Sequence, residues 1–162
     1  MKNSEDHLES ACARLADYLE SHKHELIDDW VAQARTDSDV PSCALTKLEI
    51  VDHVPNIFDA MIQALRKQCS ETAMEKVQEV AARHTVVRWV QSYDLQAVIR
   101  EVALLRTEFI RHLRNFDDQH PHFGSDARLF NSTTIHRILD DIVMDATETF
   151  LKLRDRDNGG EA

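Results

Sequence analysis

The sequence predicts an all-α fold, a helical bundle of about five or six helices, on three observations. Apolar residues recur every three or four positions along nearly the whole chain, as they do where one face of a helix is buried. Only three glycines and three prolines interrupt 162 residues, so the helices between them are long. No stretch alternates apolar and polar residues in the manner of a half-buried strand.

The first helix carries Leu8, Cys12, Leu15, Leu19 and Leu26 at steps of four and three, a heptad-like seam in which His22 fills the gap and marks a bend. Ile27, Trp30, Val31 and Ala34 then widen the stripe, and "TDSDVPS" ends it near Pro41. Thr46 followed three residues later by Glu49 has the spacing of a capping box and starts the next helix. Pro55 lacks a backbone donor and clashes with the preceding turn, which predicts a kink at Val54, with two short helices as the other solution. A further helix runs from about Ser70 to Gln91, with Val77, Val80, Ala81, His84 and Val87 on one side.

"SYD" interrupts the pattern, and Asp94 caps a helix reaching about Asn115. Its stripe of Leu95, Ile99, Val102, Phe109 and Leu113 is matched by Val98, Leu104 and Leu105 on the opposite flank, so it is expected near the centre of the bundle. After the polar connection "FDDQHPHFGSD", the last helix begins at Ser125 or Ser132 and ends near Arg154, with a seam through Ile135, Leu139, Ile142, Ala146, Phe150 and Leu153. One domain over residues 1–156 with a polar tail at 157–162 is the expected organisation.

Twenty-nine acidic side chains against 19 basic ones give a net charge of -10, whose field repels nucleic acid and anionic membrane surfaces. Cys12, Cys43 and Cys69 are odd in number and widely spaced, which suits a reducing compartment better than a disulfide framework. No apolar run reaches the roughly 18 residues of a membrane span, and "MKNSEDHLES" lacks the apolar core of a signal peptide. The expectation is a cytoplasmic protein that binds neither nucleic acid nor membrane.

Chemistry-bearing residues are sparse. There is no Gly-x-Ser-x-Gly, no phosphate-binding glycine loop and no cysteine in an activating motif, so no enzymatic activity is expected. Nine histidines invite a metal reading, yet the Glu-x-x-His or His-x-x-x-His pairs of a helical metal site do not recur; "HRILDD" supplies one fragment alone. No metal and no cofactor is expected. The polar residues that interrupt apolar stripes are the remaining candidates: His84, Arg88 and Arg106, with Glu101 as the nearest acidic partner across the turn at Tyr93. Buried ionisable groups need partners, so these five form either a polar network that fixes helix register or the lining of a ligand pocket. "ARHTVVRW" also echoes a histidine phosphotransfer site at His84, but Val87 and Arg88 stand where lysine and glycine would follow.

Trp30 after an amphipathic helix, then "LTKLEIVDHVPNIFDAMIQAL", then "HTVVRWVQSYDLQAVIREVALLR", resembles the N-terminal sensor-type domain of RsbR-like stressosome proteins, the RsbT co-antagonists, found also before bacterial histidine kinases. The resemblance spans residues 15 to 115. It is most specific at His84, Arg88, Tyr93, Asp94, Leu95 and the run from Arg100 and Glu101 through Leu104, Leu105 and Arg106. Ser92 departs from it, standing where the family usually has glycine. The resemblance implies a non-catalytic input domain, globin-like without haem, that forms a homodimer and passes a signal to a C-terminal or separate output module or kinase. A phosphotransfer protein using His84 and a small-ligand or haem-binding sensor are the alternatives. The seams of the first and last helices suit either dimer contacts or packing within one chain.

Overall fold

Seven helices, and no strand, follow one another among the residues that the computed structural model describes, 2–41, 45–51 and 53–159. Helices α1 (Lys2–Ser21) and α2 (Lys23–Thr36) abut at His22, whose backbone at φ -106° and ψ 10° leaves helical values where the bend is predicted. The Ser21 hydroxyl donates to the Tyr18 carbonyl at 2.8 Å, offering that oxygen a local alternative at the break.

The capping box forms as its spacing requires. The Thr46 N–H donates to the Glu49 carboxylate at 2.8 Å and the Glu49 N–H to the Thr46 hydroxyl at 3.3 Å, starting α3 (Lys47–Val51). The favoured kink at Val54 is not found. Two helices stand there, because Pro55 falls in the first turn of α4 (Val54–Arg66), where its missing N–H would have had no intrahelical acceptor.

Helix α5 (Glu71–Val90) ends in a Schellman motif. The Tyr93 N–H reaches back to the Arg88 carbonyl and the Ser92 N–H to the Trp89 carbonyl, both at 3.0 Å, with Ser92 left-handed at φ 63°. Asp94 then caps α6 (Leu95–Gln119), its carboxylate accepting the Ala97 N–H at 2.8 Å. Helix α7 (Ser125–Gly159) outlasts its expected end at Arg154, and Lys152 bound to Glu148 at 2.6 Å supports the extension.

Packing answers the question of the seams. Cys12, Leu15 and Leu19 of α1 and Ile135, Leu139, Ile142 and Ala146 of α7 are buried within the single chain, so these faces are consumed internally. The expected central place of α6 is shared. It packs against α1, α2 and α7, while α4 meets α1, α2, α3, α5 and α7. Cys12 and Cys69 are free thiols, burial pushing the Cys12 thiol up to about 11; Cys43 lies outside the described residues, as do residues 160–162 of the polar tail.

Candidate functional site

Arg88 organises the first polar cluster. Its guanidinium is 1 % exposed and spends its donors on three elements at once. Nε donates to the Glu101 carboxylate at 2.8 Å, Nη2 to the Ile50 carbonyl at 2.8 Å, and Nη1 to the Gln91 side chain at 2.7 Å and the Glu49 carbonyl at 3.3 Å. The two carbonyls belong to the last turn of α3, which a five-residue helix cannot satisfy by itself. A cation at that end also suits the direction of the peptide dipoles. The Schellman turn folds Tyr93 back over this arginine, ring centroid 5.1 Å from the guanidinium carbon.

Glu101 receives Arg88 and His84 on one oxygen, His84 Nε2 standing 3.1 Å away. An ionised carboxylate only accepts, so Nε2 is the protonated ring nitrogen. Burial pushes the Glu101 carboxyl up, but the hydrogen bonds and charges of His84 and Arg88 together outweigh it and hold the group below its ordinary range. Its other oxygen, Oε1, is buried without a hydrogen-bond partner among the described residues. Glu101 and His84 also line a cavity of about 20 Å³ whose walls include Trp30, Ile57, Thr85, Val102 and Ile142. That volume holds about one water molecule and falls far short of the several hundred Å³ of an ordinary ligand pocket.

The structure thus brings together His84, Arg88, Tyr93 and Glu101 and leaves out Arg106. Arg106 pairs with Asp140 of α7, a third of its side chain exposed. The long apolar stem of arginine lets it cross an apolar stripe while its head group reaches water.

A second cluster continues the same stripe of α6. Glu101, Glu108 and His112, at steps of seven and four, are each 1 % exposed. The stripe runs antiparallel to α2. Trp30 Nε1 donates to the Glu101 backbone carbonyl at 3.2 Å, Gln33 bonds Glu108, and Arg111 bridges Glu108 and Asp29. Arg100 bound to Asp37 at 2.7 Å closes the far end of the row. Sequence reasoning missed Glu108 and His112; the continued helical spacing from Glu101 was the signal that could have found them.

The first cluster is a buried hydrogen-bonded network in which His84 and Arg88 share the Glu101 carboxylate. The His84 imidazole is 6 % exposed and held by a carboxylate, the opposite of the accessible ring that phosphoryl transfer needs.

No curated protein and no solved structure matches the chain. Residues 24–162 match the family described as the RsbT co-antagonist protein rsbRD N-terminal domain, a span that takes in both polar clusters and all of α7. The chain belongs to that family.

Proposed function

From this membership, we propose that the chain is a non-catalytic signalling input domain of the stressosome type, acting as a homodimer and handing its signal to a C-terminal or separate output module. The family match carries the reading, because it covers α7 as well as the clusters that hold the other helices in register. Burial of His84 speaks for this role over phosphotransfer. The small volume beside Glu101 speaks for a signal expressed as helix packing rather than as an organic ligand enclosed there.

With both seams consumed inside the chain, the dimer surface must be sought elsewhere. Val90 on α5 and Met144 on the adjoining α7 are 77 % and 70 % exposed, and such side chains suit a contact with a second copy. Native mass spectrometry of the full chain at tens of micromolar tests the proposal. A dimer without added mass, weakened by Val90→Glu, is expected. A monomer overturns the dimeric mechanism, and a retained small molecule lost on Glu101→Gln would restore the ligand-binding alternative.

A further inference from the structure

The second cluster has the composition of a metal site. Glu25 and Asp29 stand one turn apart on α2, and His112 meets them from α6. One oxygen of each carboxylate and one ring nitrogen of the imidazole all lie within 4.8 Å of one another. His112 is 1 % exposed; Arg111 Nη2 stands 3.5 Å from its Nε2, and its Nδ1 is a buried polar atom with no hydrogen-bond partner among the described residues.

A neutral imidazole offers the lone pair of one ring nitrogen to a metal. Charge points the same way. Glu25, Asp29, Glu108 and Arg111 together carry an excess of two negative charges. One imidazole nitrogen with two carboxylate oxygens is a donor set for zinc and its neighbours, unlike the all-oxygen shells of calcium and magnesium. A second imidazole stands close by. The His22 ring lies 5.9 Å from that of His112, and its Nδ1 is 2.8 Å from the Tyr18 carbonyl, the kind of backbone contact that orients metal-binding histidines.

We propose that Glu25, Asp29 and His112 bind one divalent metal ion of the zinc class, and that Arg111 is the counter-charge this ion displaces from Asp29. The bound ion would tie α2 to α6 beside the buried row that joins the two helices. The inference does not depend on the input-domain reading, since binding is measured directly.

The test is calorimetric titration of the full chain with zinc chloride at pH 7.5, repeated with cobalt(II) to read coordination from visible absorption. One site per chain is expected, weakened at least about tenfold in Glu25→Gln and in His112→Gln, unchanged in His122→Gln, an exposed histidine between α6 and α7, and tightened in Arg111→Gln. Glu25 is exposed, so its variant keeps the test decisive should His112→Gln fail to fold. Absence of binding by the wild type overturns the proposal. So does binding that survives both Glu25→Gln and His112→Gln, which would place the ion on other histidines. An unchanged affinity in Arg111→Gln removes the counter-charge part.

Discussion

Arg88 keeps a full positive charge where almost no water reaches it, and Glu101 is its sole carboxylate partner among the described residues. Removing that carboxylate leaves a buried cation with neutral acceptors only. Glu101→Ala is therefore expected to cost about 3 kcal/mol in chemical denaturation, and a change within about 0.5 kcal/mol would contradict the buried geometry. The pair also sets an acid limb. The folded Glu101 pKa is lowered, so its contribution is complete above the ordinary glutamate value of 4.5 and is lost as pH falls through the lower folded value. Melting curves across that window should flatten in Glu101→Gln. Ser92 holds a left-handed backbone, which costs a residue with a Cβ roughly 1 kcal/mol. Ser92→Gly is expected to raise stability by up to about that amount in the same denaturation assay. His84 was legible because it interrupts an apolar stripe one turn from Arg88, and Glu101 because it is the nearest acidic residue in sequence that can pair with them across the turn at Tyr93. Arg106 satisfies the same pattern yet reaches water, a distinction that depends on side-chain path and not on spacing.

Between α2 and α6 the contact is unusually polar for so buried a surface, running from Arg100 and Asp37 at one end to His112 at the other. Polar partners at fixed intervals penalise a slip of one helix along the other, because each shifted donor would lose its acceptor. The start of α6 matters to that register, and one carboxylate secures it. Asp94→Ala is expected to destabilise the domain by about 1 kcal/mol, the usual loss of a side-chain cap. Denaturant unfolding of that single variant checks it. The capping signals at Thr46 and Asp94 were readable in the sequence because they act within a few residues. The α3–α4 break was harder to read, since a proline at a first helical turn and one at a kink look the same until the neighbouring backbone is known.

For the whole molecule, helix periodicity identified which faces are buried but not whose surface buries them. The seams of α1 and α7 are equally good coiled-coil edges and core stripes, and only the assembled chain shows them turned inward. The length of α7 was similarly hidden, because a solvated helix has no apolar rhythm to follow. Beyond Phe150, residues 151–159 are partly or fully exposed while remaining helical, a projection of about 13 Å at 1.5 Å per residue. A rod of this kind transmits angle as well as distance, since each residue turns the helix by about 100°. Anything joined to it inherits a phase. With a dimerisation-dependent reporter appended to the chain and one to seven residues inserted at the junction, output should rise and fall with a period of about 3.6 residues. A smooth decline with length would mean that the projecting turns act as a flexible tether. Residues 151–159, which are partly or fully exposed, would then set only reach; if output oscillates, they are the clockwork that decides which way the domain faces when it speaks.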